Sequence, residues 1–317
     1  MIRRHSVMTG ITVAVGVGTG VLVAATTFRE PARPRPEVST SAAVAVHEDA
    51  AWRWLGPAAC ERVREARTTV ERLVAGVWVS AVMPLAQVRQ LTVSDGVRGL
   101  AVGTDESCRT QFAVTDDGGR TWRRVSAGGA VLSASRRGSH VWSVMRRAAG
   151  RHELTVRPAP GAVPEIVRVP CRDDDGVASL VEAVDQQSAW VVCQLPRTFV
   201  RLLLGTRDGG RTWSRKADGR IGGGFDGLGT VLATWMGSGP RGWAVLTTEH
   251  CAEGDLRMSP DNGRTWTPLV CLGEELGLRR LLSMQMTSTG RGVLVGLKAG
   301  NAVTLLTRDG GRTWRPA

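Results

Sequence analysis

Two carboxylates held about 5–10 Å apart can cleave a glycosidic bond, one as acid and the other as base or nucleophile. In this chain Glu165, Glu182 and Asp185 are the candidates, but no spacing singles out a pair. A solvated surface position is the ordinary state of such residues. Asp173, Asp174 and Asp175, followed by Gly176, form the densest acidic run. They could offer oxygen ligands to calcium, yet the spacing of a calcium loop is not met. The five histidines, at 5, 47, 140, 152 and 250, make no HxH or HExxH pair, so zinc has no support. The Gly-rich stretch from Gly222 to Gly227 lacks the Lys-Ser/Thr of a phosphate loop. No catalytic residue, metal or cofactor is assigned on these grounds.

Arginine is the other chemistry on offer. The net charge is +12 with a pI of about 11.0, and Lys216 and Lys298 are the two lysines. Guanidinium groups bind carboxylate and phosphate in fixed geometry. Clusters occur at Arg136–Arg137, at Arg146–Arg147 with Arg151, and at Arg279–Arg280. Arg146, Arg147 and Arg151 form the candidate patch for an acidic protein or an anionic envelope polymer; a solvated face is the bland alternative. Trp235 joins them as a candidate for stacking on a sugar, because the repeat phasing described below leaves it unexplained, as it does Trp52 and Trp54. Nucleic acid is the default partner of a basic cytosolic chain, but the N-terminus argues for export.

The elements that must position these residues are set by a phrase that occurs four times. TDDGGRTW runs from Thr115 to Trp122, TRDGGRTW from Thr206 to Trp213, SPDNGRTW from Ser259 to Trp266 and TRDGGRTW from Thr307 to Trp314. Each reads as a turn between two strands. The hydroxyls of Thr115, Thr206, Ser259 and Thr307 and the carboxylates of Asp117, Asp208, Asp261 and Asp309 can accept backbone N–H groups of the turn. Gly119, Gly210, Gly263 and Gly311 supply positive φ. Trp122, Trp213, Trp266 and Trp314 open the next strand and bury a large ring.

The phrase resembles the Asp-box, or BNR repeat, of sialidases, sortilin-type receptors and photosystem II assembly factors. That resemblance implies a β-propeller with the box on the C–D turn of each blade, at the outer rim and remote from the ligand-binding face. Sialidases of that kind use a Tyr nucleophile paired with Glu, an Asp acid/base and three Arg. This chain contains no Tyr, so sialidase activity is not expected. The resemblance to the assembly factors implies an Arg-rich patch, but no residue of it can be matched here.

The box starts lie 91, 53 and 48 residues apart (115, 206, 259, 307). Blades run about 40–50 residues, so one blade is hidden in the first gap. Apolar strands around Leu100, Trp142, Trp190, Trp243 and Val293 mark a second phase upstream of each box. Counting on from Trp142 leads to RPAPGAVP, a worn box that keeps Gly161. The expected fold is therefore an all-β propeller of four-stranded antiparallel blades over 87–317, five of them clear. Residues 51–86 are expected to form a helix, on the spacing of Val63, Ala66, Val70, Leu73 and Val74, followed by a strand at about 77–83. The alternative is a sixth blade, since Trp54 lies one blade pitch before Leu100 and Gly76-Val77-Trp78 could be another worn box.

Residues 1–28 carry a basic start and an apolar run, Ile11 to Phe28, expected to act as a cleaved signal or a membrane anchor. Residues 29–50 read as a Pro- and Arg-containing linker. Six cysteines in an exported chain suggest disulfides. Hairpin geometry favours Cys251 with Cys271 and Cys171 with Cys193, leaving Cys60 for Cys108, one of 15 connectivities. The functional expectation is an extracytoplasmic, non-enzymatic binding or assembly module. The alternative is a carbohydrate-binding protein or a divergent glycoside hydrolase.

Overall fold

The computed structural model describes residues 40–47, 50–57, 60, 68–147, 151–168, 171, 177–194, 201–218, 231–236 and 239–317. They form six four-stranded antiparallel sheets, each built from consecutive strands, the blades of a β-propeller. Blade one is β1 (Thr40–His47), β2 (Ala50–Pro57), β3 (Thr69–Val74) and β4 (Val77–Val82). Blade two is β5 (Gln87–Val93), β6 (Gly99–Thr104), β7 (Thr110–Thr115) and β8 (Arg123–Ser126). Blade three is β9 (Ala130–Arg137), β10 (His140–Arg146), β11 (His152–Arg157) and β12 (Glu165–Val167). Blade four is β13 (Val177–Ala183), β14 (Ala189–Gln194), β15 (Arg201–Thr206) and β16 (Ser214–Asp218). Blade five is β17 (Val231–Met236), β18 (Gly242–Leu246), β19 (Asp255–Ser259) and β20 (Thr267–Cys271). Blade six is β21 (Arg280–Met286), β22 (Gly292–Lys298), β23 (Asn301–Thr307) and β24 (Arg315–Pro316).

Burial follows position in the blade. The second strand of blade two, Gly99–Thr104, is buried at every residue, whereas its outer strand Arg123–Ser126 is mostly exposed. A strand covered on both faces reads as a continuous apolar run, and an edge strand carries charge. Six apolar clusters fill the spaces between neighbouring blades, the last of them joining Ala42, Val44 and Val46 of blade one to Val293 and Val295 of blade six.

Among the described residues each sheet is built from its own blade's strands, and blades one and six meet through other contacts. The Val44 N–H donates to Ser283 Oγ at 3.1 Å and the Val46 N–H to Gln285 Oε1 at 2.8 Å, blade one to blade six. Arg53 reaches Thr304 Oγ1 at 2.9 Å. The same device links blade two to three, where Ala134 N–H donates to Gln90 Oε1 at 2.9 Å. It recurs from three to four, where Val181 N–H donates to Ser133 Oγ at 3.2 Å.

The N-terminal expectations need correction. The sixth blade exists and is the first in sequence. Residues 40–47, assigned to the linker, form β1, its innermost strand. Among the described residues there is no α-helix. Val70, Leu73 and Val74, assigned to a helix, lie on β3; residues 61–67 lie outside the described set. Pairing with β2 and β4 decides this segment against its local spacing. Ala75 (φ 49°) and Gly76 (φ 83°) make a two-residue hairpin turn, where the other blades carry a longer one. The strand expected near 77–83 is β4. The signal or anchor at 1–28, Asp173–Asp175 and Gly222–Gly227 lie outside the described residues.

Candidate functional site

The four boxes hold the turns between the third and fourth strands of blades two, four, five and six. In blade two, Thr115 Oγ1 donates to Asp117 Oδ1 at 2.8 Å and accepts the Gly119 N–H at 2.9 Å. Asp117 accepts the Thr121 N–H at 3.0 Å and its hydroxyl at 2.6 Å. The Trp122 indole donates to Gly119 O at 3.2 Å. The same set recurs around Asp208 with Thr206, Gly210 and Trp213. It recurs around Asp261 with Ser259, Gly263 and Trp266, and around Asp309 with Thr307, Gly311 and Trp314. Hydrogen bonds from Thr121, Thr212 and Thr313 hold Asp117, Asp208 and Asp309 at about 2, well below the ordinary carboxylate. These side chains are engaged in their own turns. In blade three the worn turn keeps Gly161 at φ 90°, and the buried Arg157 takes over the pinning, donating to Ala162 O at 3.0 Å and Ala127 O at 2.6 Å.

The six cysteines form Cys60–Cys108, Cys171–Cys193 and Cys251–Cys271, the pairs that hairpin geometry favours. The first ties blade one to the β6–β7 loop of blade two.

The innermost strands enclose a central cavity of about 200 Å³. Among its lining residues are Arg89, Gln90, Ser133, Glu182, Ser283 and Gln285. Glu182 is buried, and burial pushes its carboxyl up to about 7 against the opposing pull of Arg137 and Ser135. Arg137 NH2 lies 3.5 Å from it, while the same guanidinium donates to Ala183 O and Val93 O. Of the other carboxylates considered, Asp185 caps its own turn through the Gln187 and Ser188 N–H groups, and Glu165 is exposed on β12. The three thus stand in different surroundings: a buried cavity wall, a turn cap and an exposed strand.

Arg146, Arg147 and Arg151 lie at the end of β10 and just before β11, on the face that carries the loops between second and third strands. Arg146 ends β10 and is exposed, as is Arg151; Arg147 is held by Glu153 at 2.7 Å. The residue missing from the sequence reading is Arg89. It donates to Val131 O at 3.2 Å and Thr110 Oγ1 at 3.3 Å, so it stands at the cavity's mouth on this side. Partial burial and the charge of Arg146 both lower its pKa, and Val131, whose carbonyl it binds, pairs with Met145, the neighbour of Arg146 on β10. Arg89 is the residue skipped by a β-bulge in β5. Equivalent bulges skip Leu132, Ser179, Leu232 and Leu282 in blades three to six. A bulge re-aims one side chain, and in blade two that side chain is cationic. Trp235 pairs in register with Trp243, its side chain lying outside the described set. Trp52 and Trp54 are core residues, 1% and 2% exposed.

No protein-family model and no curated protein matches this chain. Solved β-propeller structures do. The β-propeller domain of the Trilobed protease from Pyrococcus furiosus aligns with a TM-score of 0.50 at 9% identity, over 84% of this chain and 79% of that one. The likeness is one of fold. Pyrococcus horikoshii acylaminoacyl peptidase aligns with a TM-score of 0.52 at 12% identity, over 88% of this chain and 46% of that one. YCF48 bound to a D1 peptide aligns with a TM-score of 0.42 at 18% identity, over 72% and 81%. Among the described residues no helix is long and apolar enough to cross a membrane.

Proposed function

We propose that this chain is a non-enzymatic binding module of the box-repeat propeller kind, working outside the cytoplasm. It takes an acidic protein or an anionic envelope polymer against the arginine face of blades two and three. The observation that carries this reading is the exposure of Arg146 and Arg151 at the two ends of the β10–β11 loop, with Arg89 bonded to the carbonyl of Val131, next to the strand partner of Arg146. Among the described residues Arg146 and Arg151 have no carboxylate partner, and like charges gathered at a concave mouth concentrate anions. Three disulfides support an oxidising compartment. The run from Ile11 to Phe28 supplies the export, as a cleaved signal or a retained anchor. The absence of Tyr from the sequence and the separate environments of Glu165, Glu182 and Asp185 support a role without hydrolysis.

The test is affinity capture from envelope extract with the full chain, beside a variant carrying Arg89→Gln, Arg146→Gln and Arg151→Gln. One acidic species should be held near stoichiometry by the first and lost by the second, and should elute with salt. Equal recovery by both proteins would refute the assignment of this face.

A further inference from the structure

The cleft between blades four and five opens on the box-turn face, opposite the arginine face, and has a volume of about 690 Å³. That is within the range of small-ligand sites, about 300–1,000 Å³. Three cations from different elements line it: Arg207 and Arg264 from the two box turns, and Lys216 from β16. Lys216 breaks the repeat. The residue three beyond the box Trp is Val125 in blade two and Leu269 in blade five, apolar where Lys216 is charged. Its ammonium lies 5.6 Å from the centre of the Trp190 ring, a cation–π contact that holds it in place. Burial, then the charges of Arg207 and Arg264, push its pKa below the ordinary lysine value.

Among the described residues none of the three cations forms an ion pair with a carboxylate. Asp185 also lines the cleft, but its Oδ1 accepts the Gln187 N–H at 2.8 Å and the Ser188 N–H at 2.6 Å. The carboxylates of Asp208 and Asp261 are engaged by Thr212 and Thr265 within their turns. Beside the cations stand the hydroxyls of Ser188 and Ser214, the Asn262 side chain and the half-buried Trp213 ring. A bare anion needs only the cations. Hydroxyl, amide and indole groups next to them are what a sugar ring uses for hydrogen bonding and stacking.

We propose that this cleft binds an anionic saccharide, with its carboxylate or phosphate seated among Lys216, Arg207 and Arg264 and its ring against Trp213, Ser188 and Asn262. The site is independent of the arginine face.

The experiment is calorimetric titration of the full chain with four probes: trigalacturonate, glucose 6-phosphate, maltotriose and inorganic phosphate. Trigalacturonate or glucose 6-phosphate should bind at least tenfold more tightly than maltotriose and inorganic phosphate; which of the two binds distinguishes carboxylate from phosphate. Arg264→Gln and Lys216→Met should each weaken that binding at least tenfold, while Arg146→Gln leaves it unchanged. Arg264 is exposed, so its variant decides the matter if Lys216→Met lowers the melting temperature. Binding of inorganic phosphate as tightly as the anionic sugars, equal binding of maltotriose, no binding of any probe, or an Arg264→Gln protein that binds like the parent would each overturn the proposal.

Discussion

The indole N–H of Trp243 donates to the carbonyl of Gly310 at 2.8 Å, joining the second strand of blade five to the box turn of blade six. Trp52 makes the same bond to Gly118, from blade one to the box of blade two, at 3.3 Å. Trp142 and Trp190 occupy the matching strand positions in blades three and four, each ahead of a blade with an intact box. Blades two and six carry Leu100 and Val293 there, and the blades that follow them, three and one, have the worn turns. The bond itself is made by Trp243 and Trp52; the buried Trp142 indole N–H has no partner, so at blade three the position is held by packing alone.

Trp243→Phe keeps most of the ring and removes the donor. It should cost about 1 kcal/mol in urea unfolding, whereas Trp243→Ala should cost about 3–5 kcal/mol. Equal losses for the two variants would assign the whole effect to hydrogen bonding and contradict the packing role.

Gln285→Ala should free the Val46 amide at the joint between first and last blades. The expected cost is about 1–2 kcal/mol, with faster hydrogen exchange at Val44 and Val46 before any change in blades three to five. Uniform acceleration across the ring would show that this joint is no weaker than the others.

The box carboxylates set acid stability. Asp117, Asp208 and Asp309 sit at about 2 in the folded chain, against an ordinary 3.8. A folded value below the unfolded one gives stability that is present above about pH 4 and lost as pH falls toward 2. Melting temperature should hold steady from pH 7 to 5 apart from the opposite trend of Glu182, then fall steeply. Asp309→Asn should flatten part of that fall.

Glu182 has the opposite sign. Its folded value, about 7, lies above the ordinary 4.5, so the fold favours the protonated form. Stability from this group is fully present below about pH 4.5 and lost as pH rises to about 7. Glu182→Gln should remove that slope, read as melting temperature against pH between 4.5 and 7.5.

Blades two to six were legible because each carries a box or its remnant in phase with an apolar second strand. Blade one was obscured by two local signals. Val63, Ala66, Val70, Leu73 and Val74 follow helical spacing, and pairing of β3 with its neighbours overrides it. Trp54 seemed to mark the blade pitch, whereas Trp52, two residues earlier on the same face, makes the joint. The tryptophan–box rule was already written in the sequence and would have named Trp52. Arg89 was not legible, because a bulge that redirects a side chain depends on strand pairing rather than on spacing. The Lys216 cleft was half-legible: the departure from Val125 and Leu269 is visible in the repeat, but its convergence with Arg264 requires the fold.

Because every blade is woven from consecutive strands, the meeting of β24 and β1 falls where any other inter-blade crossing falls, such as Ser126 to Ala130. The chain is in this sense a necklace whose clasp sits between two beads rather than through one. A circular permutant of residues 40–317, with β24 linked to β1 and the chain opened instead between β20 and β21, would keep every described sheet whole and move the open joint to another pair of blades.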